Sequence, residues 1–479
     1  MNKKWIFIFL PLFMVACSLL GTSPAEPATP ANAPAVEEEA TTPAHEEPLA
    51  ALPGLSPSGQ WMLTATSSGI YIRDENGANP IQVPEADGFT NVNLYQSAQG
   101  EQVTNITIAP RGGKVAIVKV DDKTNFSGLN LHILSLPSGK MEFITPIIAA
   151  GIDTLAGYDY EAIARKIAIG SPAWSPDGNK LAFLAALESP ALDLYLYDLN
   201  SRELTRLTQG TDPLYGLTWS PDGNHLLFWN AASYDKTVGV VEAKPNAGEP
   251  RMYTGLFPDA TASFLGWRDA NTYLFYAWST LGADNLRAFN VVTGESEALW
   301  DGNLTTASFD PKSRTTTICL IPDEAEYYGQ TNGGLYLLSA SDSTPRKVFD
   351  SCGADLEWQP IAEVFSFTAS NDGKEYLLTI DGLISGADLE ELPIRTSPNG
   401  TWQYKISARD ENGDIIFYKL SDEGLWDIYY FGGTDKILWQ PDGQRIFAQE
   451  NGTLHAIHLM KINMLEIIED VHYVGWVLK

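Results

Sequence analysis

The sequence predicts an all-β chain built from one four-stranded unit repeated around a ring. Three observations carry this. A short element, WSPDG at Trp174 and again at Trp219, recurs in graded form along most of the chain. Successive copies lie mostly 38 to 53 residues apart, the length of a four-stranded propeller blade. The intervals are filled by short segments of alternating apolar and polar residues, and long amphipathic helical periods are nearly absent. A single β-propeller satisfies all three, because each sheet is covered by its neighbours and neither face is left bare.

The copies run in order as LSPSG at Leu55, IAPRGG at Ile108, WSPDG at Trp174 and Trp219, WRDAN at Trp267, FDPKS at Phe309, WQP at Trp358, TSPNG at Thr396 and WQPDG at Trp439. In the third unit SPAW ends a first strand, KLAFLAA forms a second, LDLYLYDL alternates as a third and ELTRLT as a fourth. The same succession follows Arg111 and Gly443. Within the turn, Pro176 presets φ near -65°, Asp177-Gly178 supplies the reversal and the Ser175 hydroxyl can bond back to the backbone. The tail VHYVGWVLK repeats the first-strand pattern with Trp476 and suits a strand that closes the first blade. Propellers usually have four to eight blades, so eight is favoured here, with nine the close alternative.

These WSPDG units resemble the PD40, or TolB-like, WD40-related β-propeller repeats, which are related to the propellers of prolyl-oligopeptidase-type enzymes. The resemblance spans nearly everything after Leu52 and implies the fold. It implies no activity, since function resides in sites grafted on folds. A recurrent tryptophan at one register (Trp174, Trp219, Trp267, Trp358, Trp439 and Trp476) is expected to pack between blades rather than line a ligand box.

Ahead of the repeats lie two other segments. Residues 1–17 carry Lys3 and Lys4, an apolar run from Trp5 to Ala16 and then Cys17, the pattern of an export signal. This resembles a bacterial lipoprotein signal, with Met14 where leucine is usual, and the resemblance implies lipidation of Cys17 and a membrane contact made only through acyl chains. Residues 18–51 are rich in Pro, Ala, Glu and Thr and bury almost nothing, so they form a tether. Its core of 28 residues from Thr22 could reach about 85 Å if fully extended. The propeller then occupies 52–479, with one insertion around 146–170 whose DTLAGYDYEAIARKIA reads as an amphipathic helix.

The expected location is extracytoplasmic, on the cell surface or in the periplasm of a bacterium. Cys319 and Cys352, the cysteines left over, are available for a disulfide there, although Cys319 in TTTICLI reads equally as a buried thiol.

Thirty-one basic against 60 acidic side chains give a net charge of -29, which argues against nucleic acid as a partner. No Gly-x-Ser-x-Gly elbow is present, the six histidines are dispersed, and no glycine-rich phosphate loop opens a helix. DENG at Asp74 and Asp410 lacks the rest of a calcium loop and reads as a turn. Neither a catalytic residue, a metal site nor a cofactor is therefore expected. The WSPDG turns share one face of the ring, and the irregular loops share the other, where binding residues usually sit. Candidate binding residues there are Tyr158, Tyr160, Tyr327 and Tyr328 with Glu324, Glu326, Asp121 and Asp122. The expected function is a monomeric, non-enzymatic propeller that binds a protein, peptide or glycan through this face. The alternatives are a glycan hydrolase or lyase with carboxylates in the central channel, and an architectural subunit of an envelope complex.

Overall fold

Blade 3 shows how the sequence makes one unit. Ala173–Trp174, Lys180–Ala185, Asp193–Asp198 and Glu203–Arg206 form one antiparallel sheet in that order. Its second and third strands are buried on both faces, because blades lie on either side. The turn between the first two strands is closed locally. Gly178 donates its N–H to Ser175 O (2.8 Å), the Ser175 hydroxyl donates to Asp177 Oδ1 (2.6 Å) and accepts from Lys180 N (2.9 Å), and Gly178 takes φ +71°. The turn at Ser220 repeats these bonds, with Ser220 Oγ to Asp222 Oδ1 at 2.6 Å and His225 N to Ser220 Oγ at 2.9 Å.

The computed structural model describes residues 50–479 apart from 85–92, 97–101, 105, 123–126, 153–171, 210–213, 231–236, 254–260, 279–284, 301–302, 328, 389, 409–414, 422, 425, 432–433, 441, 451 and 460–464. Nine four-stranded sheets follow one another within the unit Leu49–Lys479. Blade 2 runs from Ile106 to Pro146 and blade 3 from Ala173 to Arg206. Blade 4 runs from Leu214 to Tyr253, blade 5 from Thr261 to Ala298 and blade 6 from Thr306 to Phe349. Blade 7 runs from Glu357 to Gly386, blade 8 from Arg395 to Phe431 and blade 9 from Thr434 to Ile468. Blade 1 takes Gln60–Thr66, Gly69–Arg73 and Ile81–Gln82 from the start of the unit and its innermost strand, Val471–Leu478, from the end. The ring is thus closed by the C-terminal strand, as the tail pattern predicts.

The blade number is nine, not the favoured eight. Each of the nine turn copies heads a blade, including the degenerate ones at Trp267 and Trp358, so sequence decay at a turn does not remove the sheet behind it. One addition lies in the connection between blades 1 and 2, a hairpin of Asn93–Gln96 with Gln102–Thr104. Of the expected insertion at 146–170, Pro146 ends the last strand of blade 2, and Ile148 bridges to Ala186 of blade 3. The anticipated helix itself falls in 153–171, outside the described residues.

The anchoring tryptophans do lie between blades. Trp174 donates its indole N–H to Thr107 O of blade 2 (2.9 Å), Trp219 to Ala173 O of blade 3 (2.8 Å) and Trp267 to Thr218 Oγ1 of blade 4 (3.1 Å). In each case the acceptor belongs to the residue just before the equivalent anchor of the preceding blade. Blade 8 has Thr396 in place of an aromatic anchor, and its tryptophans Trp402 and Trp426 pack within its own sheet. The Lys419 ammonium lies 4.4 Å from the Trp402 ring centroid on one side of its sheet, and Lys405 lies 5.2 Å from that of Trp426 on the other.

Candidate functional site

The two faces of the ring differ in what their polar groups do. On the face of the WSPDG turns, side chains of one blade are spent on the next. Arg111 Nε donates to Asp177 O (3.1 Å), and Lys180 Nζ to Ala243 O of blade 4 (2.7 Å). Arg445, the position in blade 9 equivalent to Lys180, donates through Nη1 to Asn76 O of blade 1 (3.0 Å). Arg251 grips Val291 O and Val292 O of blade 5, each at 2.6 Å. Asn399 donates to Asp442 O from blade 8 to blade 9. This face is a structural belt, and the turn motif is its hinge.

The DENG turn at Asp74 belongs to the same belt. Asp74 Oδ1 accepts from Asn76 N (2.8 Å) and Ala78 N (2.9 Å), so its carboxylate is engaged in the turn. The second DENG, from Asp410, lies outside the described residues. Among the described residues no group of three His, Cys, Asp or Glu is placed to hold a metal ion.

On the opposite face the connection from Thr315–Leu320 to Gly334–Leu338 of blade 6 is a short helix, Pro322–Tyr327, where the sequence predicts an irregular loop. Proline opens it with φ already set, and Asp323 and Glu324 fill the first turn where negative charge is favoured. Six residues are too few to display a helical period, which is why the pattern hides it. Ala325 is buried in a cluster with Trp300, Leu304, Leu320 and Leu338, seating the helix across blades 5 and 6. Tyr327 then stands 83% exposed, with Glu324 and Glu326 on the exposed side as well.

The seat is further fixed by Thr305, in the connection from blade 5 to blade 6. Its hydroxyl accepts Ile321 N–H (3.0 Å) and donates to Glu324 Oε2, and its N–H donates to Cys319 O (2.9 Å). Cys319 and Cys352 are joined in a disulfide, with a Cα separation of 5.9 Å, and both are fully buried. Of the two sequence alternatives for Cys319, the bridge is the one present.

The candidate residues do not all meet. Asp121 and Asp122 end the second strand of blade 2 on this face, where Asp122 pairs with Ser127. They lie four blades away from Tyr327, Glu324 and Glu326 around a nine-blade ring. Tyr158, Tyr160 and Tyr328 are outside the described residues.

A polar cluster on blade 3 of the same face escapes sequence reasoning. Arg206 bridges Glu188 Oε2 and Asp193 Oδ2, each at 2.6 Å, and Thr208 Oγ1 donates to Asp193 Oδ1 (3.0 Å). Asp193 is buried, and burial pushes the neighbouring Tyr195 phenol up to about 12. Nothing at these separated positions signals the pairing, because antiparallel register alone brings Tyr195 opposite Arg206.

Sheets of four antiparallel strands, serially repeated and closed by the terminal strand, define the chain as a β-propeller. No protein-family model matches it, and no curated protein matches it. Among solved structures, one described as the crystal structure of the eukaryotic initiation factor is similar at 11% identity and a TM-score of 0.50, covering 88% of this chain and 98% of its own. The β-propeller domain of the trilobed protease from Pyrococcus furiosus is similar at 14% identity and a TM-score of 0.35, covering 75% of this chain and 98% of its own. TolB from Acinetobacter baumannii is similar at 14% identity and a TM-score of 0.29, covering 78% of this chain and 79% of its own. The likeness to the first is one of fold. Among the described residues no helix is long and apolar enough to cross a membrane.

Proposed function

We propose that this chain is a lipid-tethered, extracytoplasmic propeller that captures a protein, peptide or glycan on its irregular-loop face and performs no chemistry of its own. The observation that carries the proposal is the seated helix Pro322–Tyr327, which presents an 83% exposed tyrosine on that face. Tyrosine combines apolar area with a polar tip, and a rigid support lowers the entropy lost on binding. The opposite face supports the same reading, since its turns are occupied in joining blades.

Replacing Tyr327 together with Tyr158, Tyr160 and Tyr328 by alanine is expected to weaken capture of the native partner by about thirtyfold, the loss of one central aromatic anchor. Thermal stability should be unchanged. Affinity capture by the full-length chain, read by mass spectrometry, checks this; equal recovery by the variant would remove the site assignment. Cys17→Ser is expected to shift the chain from the membrane to the soluble fraction, and retention in the membrane would refute the lipid tether.

A further inference from the structure

Thr305 stands where four parts of the loop face meet. Its carbonyl accepts the Tyr276 hydroxyl of blade 5 (3.1 Å), its N–H reaches the Cys319 carbonyl (2.9 Å), and its hydroxyl joins Ile321 to Glu324 at the helix start. Cys319 ends the covalent path, because its sulfur is bonded to Cys352 at the entry to blade 7. The helix that depends on these links has only six residues. A helix so short has no stability of its own in water, so its geometry is borrowed from whatever holds its first turn.

We propose that Thr305 and the Cys319–Cys352 disulfide form one positioning unit, which makes the Pro322–Tyr327 surface conditional on oxidation of the chain. With the bridge made, the end of strand Thr315–Leu320 is tied to the blade 6 to blade 7 connection, and Thr305 transmits that position to Ile321 and Glu324. Without it, the strand end keeps its ladder partners Thr306, Leu335 and Gly334 but loses its tie to the connection beyond blade 6, and Ile321, which leads into the helix, loses that tie as well. Making the bridge takes two protons and two electrons from the two thiols. A thiol–disulfide oxidant accepts them as its own disulfide is reduced to two thiols. Both cysteines are fully buried, so the choice is made while the chain folds and is not exchanged afterwards with dissolved thiols. The functional meaning of the unit rests on the binding role proposed for the helix, but its existence is tested without any partner.

The test is hydrogen exchange followed by mass spectrometry on the full chain, comparing the oxidised protein with the double variant Cys319→Ala/Cys352→Ala and with Thr305→Val and Thr305→Ser. The expected result is exchange of the 325–327 amides about tenfold faster in the double variant and in Thr305→Val, the signature of local opening. Thr305→Ser, which keeps the hydroxyl, should restore wild-type exchange, and the strands of blade 3 should be unaffected in all four proteins. Wild-type protection of 325–327 in either the double variant or Thr305→Val would overturn the proposal, as would equal acceleration in blade 3. If the double variant does not fold, Cys319→Ser/Cys352→Ser replaces it as the bridge-free chain, read beside the same Thr305 pair. Partner capture is scored separately, so local opening with undiminished capture would leave the positioning unit standing and remove the binding role of the helix.

Discussion

At the scale of single residues, the anchoring tryptophans explain how degenerate repeats still stack. The indoles of Trp174, Trp219 and Trp267 each fill space between blades and give their N–H to the neighbouring first strand, so Trp174→Phe loses one bond, a cost of about 1 kcal/mol. Trp174→Ala adds a cavity and should cost about 3–5 kcal/mol, read from urea unfolding midpoints. Buried phenols set the alkaline limit. Burial raises Tyr195 and Tyr473 to about 12, whereas in the unfolded chain a tyrosine titrates near 10. Between pH 10 and about 12 the folded chain therefore holds protons that the unfolded chain has lost. Their stabilisation, intact below pH 10, falls as pH rises through that window, by up to about 3 kcal/mol for each. A late-ionising set of phenols in an absorbance titration, Tyr195 and Tyr473 among them, together with unfolding, is expected. Titration of every tyrosine near pH 10 in a folded chain would contradict the assignment.

At the scale of elements, close packing leaves little room in the strands. A Cβ on Gly239 would lie 2.1 Å from Phe228 Cζ within blade 4, so Gly239→Ala must displace a fully buried ring and should destabilise by about 1–3 kcal/mol. Calorimetry of the variant checks it. In blade 6 the disulfide spans 33 positions, for which chain-entropy reasoning gives a contribution of about 4 kcal/mol. The strands were legible in advance because alternation is a local property: KLAFLAA and LDLYLYDL become Lys180–Ala185 and Asp193–Asp198. The helix Pro322–Tyr327 was not, since its stability comes from Ala325, Thr305 and Cys319 rather than from its own period.

At the scale of the whole molecule, the ring depends on a contact between chain ends. Val471–Leu478 pairs along Gln60–Thr66 and is secured at both of its ends, where Ser67 N donates to Asp470 Oδ2 (2.9 Å) and Lys479 N to Gly59 O (2.9 Å). Removing residues 471–479 would strip blade 1 of its inner strand and uncover Trp61 and Leu63, now buried. The truncated chain is expected to lose its single cooperative unfolding transition and to self-associate through the open edge, observable by calorimetry and light scattering. A truncated chain that stays monomeric and melts cooperatively would show that closure is dispensable.

The sequence by itself determined the all-β class, the repeating four-stranded unit, the turn chemistry and the closing strand. These follow from alternation, from the φ demands of Ser-Pro-Asp-Gly and from a period, all of which act within a few residues. Nine turn copies can be counted in the sequence, but only the tertiary structure decided that every one of them, the degenerate copies at Trp267 and Trp358 included, heads a sheet of its own. The same holds for the joining of Cys319 to Cys352, for the Arg206 and Asp193 pair, and for the four blades that separate Asp122 from Tyr327. Each depends on where distant segments come to rest around the ring, and a linear pattern carries no measure of that distance.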